Sequence, residues 1–123
     1  MPGQVVHLEI PAGNTERARA FWGSLFGWQW QTFEGLMEYH MTQLSDTTGG
    51  AIYPADPPDK RGPRVFFDVE DINAGNARVN ELGGEAEEAM AVPGMGWFSL
   101  CTYTEGNEFG LWQHDPEASA PSQ

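Results

Sequence analysis

The chain has 123 residues, 40% hydrophobic and 12% aromatic, which is enough for one packed core and one domain. Its formal net charge of -12, from 18 acidic against 6 basic residues, repels phosphate backbones and argues against a nucleic-acid partner. No apolar run nears the roughly 18 residues of a membrane span, the start MPGQVVHLEI lacks the basic and apolar parts of a secretion signal, and the single Cys101 excludes an internal disulfide, so a cytoplasmic protein without a membrane partner is expected.

Val5 to Ile10 alternates and carries β-branched residues, which predicts a strand. Pro11 to Gly13 break it. Asn14 is then a good helix N-cap, with Glu16 in the first turn near the positive helix end. Ala18, Phe21, Trp22 and Leu25 follow at helical spacing, and Phe21 and Trp22 are read as core. Gly27 is a fitting stop. Three strand-like pieces come next: 28–33, 37–42 and 48–53. His40 is read as a half-exposed strand residue and a candidate polar anchor.

A proline-rich connection, PADPPDKRGP at 54–63, cannot pair as a central strand. Val65, Phe67 and Val69 then form a second apolar strand face, and Asp71 is a second N-cap. Ile72, Gly75, Val79 and Leu82 make a second stripe, which Gly83 and Gly84 end. Strand-like pieces at 85–91, 97–102 and 108–113 complete this half. Cys101, in an apolar setting, reads as a buried small hydrophobe. The segment 114–123 is polar and small, and a loose tail is expected.

One offset aligns the halves. Asn14 and Asp71 are 57 apart, and so are Leu25 and Leu82, and Gly27 and Gly84. Matching roles point to an internal duplication. The predicted class is α+β, with two tandem βαβββ modules, 4–53 and 64–113, forming a curved mixed sheet around a cavity in a single domain of 1–123. Two strands carry a glycine in their interior, Gly50 and Gly110, where it weakens packing.

The arrangement resembles the vicinal oxygen chelate superfamily, which includes glyoxalase I, extradiol dioxygenases and the bleomycin-resistance proteins. VVHLEIPAGNTERARAFWGSLFGW, VFFDVEDINAGNARVNELGG and PGMGWFSLCTYTEGNEFGLWQ carry the resemblance, over about residues 4–113. Metal-using members place ligands on the first and last strand of each module. Carried over, these positions fall on His7, Gly50, Arg64 and Gly110. Glycine offers no side chain and arginine is a permanent cation, whereas a catalytic ion generally takes about three protein ligands. The resemblance therefore implies no metal and no cofactor here.

Strand alternation puts Val6, Leu8 and Ile10 toward the first helix, and His7 and Glu9 toward the cavity. Arg64, Phe66 and Asp68 take the same role in the second module. Ile52 and Trp112 share the parity of the two glycines. The candidate ligand-binding residues are Trp30, Met41, Gly50, Ile52, Arg64, Phe66, Trp97, Gly110 and Trp112, with Met95 in a loop covering the pocket. Three roles stay open. The first is a metal-free binder of a small aromatic or carbonyl-containing molecule. The second is a glyoxalase-like lyase or isomerase with His7 as base and Glu9 orienting it. The third is a vestigial interaction module in which His7, Glu9, Arg64 and Asp68 form a structural network and side chains fill the cavity. The resemblance also implies a homodimer, and pairing through sheet edges would protect exposed strands.

Overall fold

The computed structural model describes residues 2–33, 35, 37–55 and 62–119. The protein is α+β, a strand, a helix and further strands, twice over. It divides into two compact units, His7–Arg64, and Val65–Gln123 together with Met1–Val6. The proline-rich connection falls mostly at 56–61, outside the described residues.

In the first unit β1 (Val5–Ala12) leads into α1 (Thr15–Phe26). Then follow β2 (Gln31–Phe33), β3 (Tyr39–Gln43) and β4 (Gly49–Pro54). The strand order is β2-β3-β4-β1, with β1 parallel to β4 and the other pairs antiparallel. The second unit repeats the plan with β5 (Arg64–Asp68) and α2 (Ile72–Glu81). The piece expected at 85–91 is two short strands, β6 (Glu85–Ala86) and β7 (Met90–Val92). The antiparallel pair β8 (Gly96–Thr102) and β9 (Glu108–His114) completes it. A tight turn joins that pair, with Gly106 N–H donating to the Tyr103 carbonyl at 2.9 Å.

The two helix starts match. Asn14 has φ -133° and ψ 101° and accepts from Arg17 N–H; Asp71 has φ -135° and ψ 108° and accepts from Ala74 N–H. Each such cap is worth about 1 kcal/mol. The helix ends differ. Gly27 stops α1 in the left-handed region at φ 75°, but the left-handed glycine after α2 is Gly83, at φ 97°. Gly84 is needed for another reason: a Cβ there would run into the Thr102 carbonyl. The offset of 57 thus slips to 56 at the stop, because α2 is shorter than α1.

Ile72, Cys101 and Leu111 are the buried centre of the second unit, with Phe67, Val69, Val79 and Trp97 packed on them. In the first unit α1 contains no buried residue. Phe21, read as core, is 59% exposed. It lies on the outward side of the helix, one position from the inward row of Thr15, Ala18, Trp22 and Gly23. The segment read as a loose tail is tied down instead: Asp115 N–H donates to the Met95 carbonyl, Gly94 N–H donates to the Ala118 carbonyl, and Ala118 is buried. Residues 120–123 lie outside the described residues. No described helix is long and apolar enough to cross a membrane.

Candidate functional site

Register decides which side chains share a face. In β1 and β4 the partners are His7 with Gly49, Leu8 with Gly50, and Glu9 with Ala51. In β3 and β4 they are Met41 with Ala51 and His40 with Ile52. Lateral neighbours in a sheet point the same way, so one face carries His7, Glu9, Tyr39 and Met41. The opposite face carries Leu8, Ile10, His40, Gly50 and Ile52.

On the first face four polar side chains form a chain. Tyr39 Oη donates to Glu9 Oε2 at 2.7 Å, and His7 Nε2 lies 2.7 Å from the same hydroxyl. Arg64 Nη1 donates to Glu9 Oε1 at 2.7 Å. Tyr39 has one proton and gives it to Glu9, so the His7–Tyr39 bond carries the proton of Nε2. A neutral His7 then has its lone pair on Nδ1. That atom lies over Gly49, where a Cβ would stand only 3.2 Å away. The Arg64 guanidinium lies 6.0 Å from the Tyr53 ring centre. His7 and Glu9 are thus together with Arg64, as the alternation predicts. Tyr39, which links them, was not singled out from the sequence; its place two residues from Met41 on an alternating strand is the signal that could have found it.

Burial lowers the His7 pKa, against a smaller raising effect of Glu9. Burial also raises the Tyr39 pKa far above its ordinary value, helped by Glu9. The imidazole is therefore neutral and the phenol protonated at neutral pH. The folded His7 takes up a proton only below its ordinary 6.5. In the window between 6.5 and the lowered value the unfolded chain holds more protons, so this contribution to stability is present above the window and is lost as pH falls through it. Wild type is expected to lose melting temperature relative to His7→Gln between neutral pH and about pH 5. Parallel melting profiles for the two proteins would contradict this.

The other sequence-predicted residues are placed as follows. Gly50 faces away from His7, and a Cβ there would press on Leu44. Ile52 is fully buried on that same face. His40 is buried there too, bonded to Glu38 Oε2 at 2.6 Å and to Thr32 Oγ1 at 3.0 Å, and Thr15 Oγ1 on α1 donates to the same Glu38 oxygen. Trp30 leans on α1, its Nε1 donating to the Arg19 carbonyl. Met41 shares the His7 face.

In the second unit Phe66 pairs with Gly110 and Asp68 with Trp112. Trp97 pairs with Gln113, which puts it on the α2 side, where its Nε1 donates to Asp115. Phe66, Gly110 and Trp112 therefore share one face and Trp97 does not. The Phe66 ring lies directly on Gly110, and the Trp112 ring lies on Gly96. Met95 is exposed in the turn before β8.

These residues do not fit a catalytic divalent ion. His7 is bound to Tyr39, and a permanent cation, Arg64, is held 2.7 Å from the nearest carboxylate, Glu9. Glu9 and Phe66 are 57 apart, so register makes Ala51 the counterpart of Gly110, not Gly50. Alanine brings no ligand either. Among the described residues no three His, Cys, Asp or Glu side chains are grouped to hold a metal.

Comparison with known proteins agrees with this architecture. The family model for the glyoxalase-like domain matches residues 6–112. A glyoxylase-like domain-containing protein of Didymella fabae is 28% identical over 118 residues, covering 89% of this chain and 92% of its own. Methylmalonyl-CoA epimerase from Mycobacterium tuberculosis superposes with a TM-score of 0.69 at 15% identity, over 93% of this chain and 89% of that one. A glyoxalase/bleomycin resistance protein/dioxygenase superfamily member from Vibrio splendidus 12B01 gives 0.68 at 18% identity, over 90% and 98%. At such identities the two structures share the fold.

Proposed function

We propose a function for this chain as what it is, a member of the glyoxalase-like domain family with the fold of the vicinal oxygen chelate superfamily: it binds a small aromatic or carbonyl-containing molecule without a metal, as a homodimer. The observation that supports this is the polar chain His7–Tyr39–Glu9–Arg64, in which Arg64, at one of the positions carried over from the metal ligands, is paired with Glu9. Its polar atoms are held in fixed positions before any ligand arrives, and such preorganisation favours binding. Met41 offers an adaptable apolar contact on the same face. Homodimer formation is supported by the exposed apolar side of α1.

A second reading is favoured by one feature of the same chain. A neutral, half-buried His7, oriented through Tyr39 by Glu9, is arranged as a base for proton transfer next to a carbonyl. Among proteins of this fold are epimerases, which are isomerases.

A thermal-shift screen with flat aromatic acids and ketones, and separately with Ni, Zn, Mn and Fe(II), tests the first reading. At least one organic compound is expected to raise the melting temperature by several degrees, and the metals are not. One tightly held ion per purified chain would overturn it. With a ligand in hand, His7→Ala separates the two readings. Affinity changes by less than about tenfold if His7 only lines the site, whereas a base would take turnover with it.

A further inference from the structure

The segment from Ala20 to Phe33, AFWGSLFGWQWQTF, contains no charged residue, in a chain whose net charge is -12. It forms the outer side of α1 and the exit from it. Phe21, Leu25 and Phe26 are 59%, 57% and 57% exposed. Behind them Trp22 stacks on Trp28 at 5.5 Å, and Phe26 lies 5.1 Å from Trp28. Surfaces depleted of charge and rich in aromatic rings are characteristic of interface centres.

The same helix carries a depression. It holds about 370 Å³ and is lined by Ala12, Asn14, Arg17, Ala18, Phe21 and Trp22, among others. The hole thus lies beside the N-terminal half of α1, and the exposed Leu25 and Phe26 lie on the C-terminal half. Arg17, Phe21 and Leu25 are spaced by four, which makes them one ridge.

We propose that this face of α1 is the surface on which two copies of the chain associate, with the helices antiparallel about a two-fold axis near Phe21. This rests on the homodimer reading above and says which surface serves it. About such an axis Leu25 of each copy enters the depression of the other and Phe21 meets the partner's Phe21, while Phe26, five residues on and about 140° round the helix from Phe21, stays at the edge of the contact. A hole and a knob on one helix are self-complementary only in this sense of pairing. Ridges of residues spaced by four pack at a crossing angle of about 50°. Charge selects the same surface. Two copies at -12 repel, and they approach at least cost through a stretch free of charge. Its N-terminal border carries Arg17 and Arg19, two of the chain's 6 basic residues, with Glu16 beside them. Arg17 would lie beside the partner's Leu25, where its stem packs.

Area sets the strength. The three side chains expose roughly 300–400 Å², against about 800 Å² per partner in a standard interface. Phe21 and Leu25 form its centre, and Phe26, Trp22 and the depression supply the surround. The dimer is therefore reversible and depends on concentration.

Light scattering and sedimentation velocity of the full chain over several decades of concentration test this. Wild type is expected to rise from the monomer mass of 13.6 kDa to twice that value. Phe21→Glu, which sets two carboxylates against each other on the axis, holds the mass at the monomer value with unchanged circular dichroism. Leu25→Glu places a carboxylate opposite the partner's Arg17 and keeps the dimer. Phe21→Cys forms a disulfide-linked dimer under mild oxidation, and Leu82→Cys, similarly exposed at the C-terminal cap of α2, does not. This cross-link decides the matter should the glutamate variant fail to fold. A wild type that stays monomeric throughout overturns both the surface and the homodimer. A wild-type dimer indifferent to Phe21→Glu, with no cross-link at Phe21→Cys, overturns the surface alone.

Discussion

Replacing Arg64 by alanine is expected to cost about 3 kcal/mol of stability, because it strands the Glu9 carboxylate. The pair is only 17% and 15% exposed at its two side chains, so water replaces little of the lost partner. For a domain of this size that is roughly 10 °C in melting temperature. Glu9→Gln alone leaves an uncharged acceptor for Tyr39 but removes the counter-charge of Arg64, and its cost is of the same order. The double substitution Arg64→Met with Glu9→Met is expected to recover most of the loss, since breaking a buried pair costs more than omitting it. The control is Arg78, whose contact with Glu81 is 3.6 Å long between side chains 66% and 65% exposed. Arg78→Ala is expected to stay within about 0.5 kcal/mol of wild type. Urea unfolding of the five proteins gives all the numbers. An Arg64→Ala as stable as Arg78→Ala would mean that Glu9 and Arg64 are solvated, and the preorganised chain behind the binding proposal would fall with it.

The duplication was legible because caps are local. An Asn or Asp before a helix acts through its own backbone, and the two caps agree within a few degrees. The alternation in β1 was legible for the same reason, and it put His7 and Glu9 on one face. What failed to carry over was register. A shift of one residue turns every side chain to the other face. Counting from sequence matched Gly50 to Gly110, but the pairing of β1 with β4 matches Ala51 to it, and Gly50 turns toward Leu44. Trp97 and Trp112 suffered the same ambiguity: both are aromatic, both are in strands of one hairpin, and only the register of β8 on β9 separates their faces. The exposure of Phe21 was illegible for a different reason. A helix stripe reports amphipathicity but not what the stripe meets, so an exposed apolar side chain beside the inward row has the spacing of a core one.

The glycine question has a physical answer in the second unit, and it yields the other large effect. Gly110 was read as a carried-over ligand position that offers no side chain. The Phe66 ring covers it, so closely that a Cβ would overlap ring carbons, and Phe66 is 5% exposed. The missing side chain is thus already filled from within by an aromatic neighbour across the strands. Gly110→Ala is expected to destabilise by about 2–3 kcal/mol, since either the ring or β9 must move in a packed sheet. Phe66→Leu removes the overlapping ring atoms and is expected to restore much of that loss when combined with it, giving a favourable coupling of more than about 1 kcal/mol. Gly96→Ala is the contrasting case. Its Cβ would strike the Gln113 carbonyl as well as the Trp112 ring, and backbone in a ladder does not yield. Trp112→Leu is therefore expected to leave Gly96→Ala destabilised. The measurement is chemical denaturation of the four single substitutions and the two doubles. If Gly110→Ala were neutral in stability yet weakened a ligand found in the screen, the glycine would serve the ligand rather than the ring.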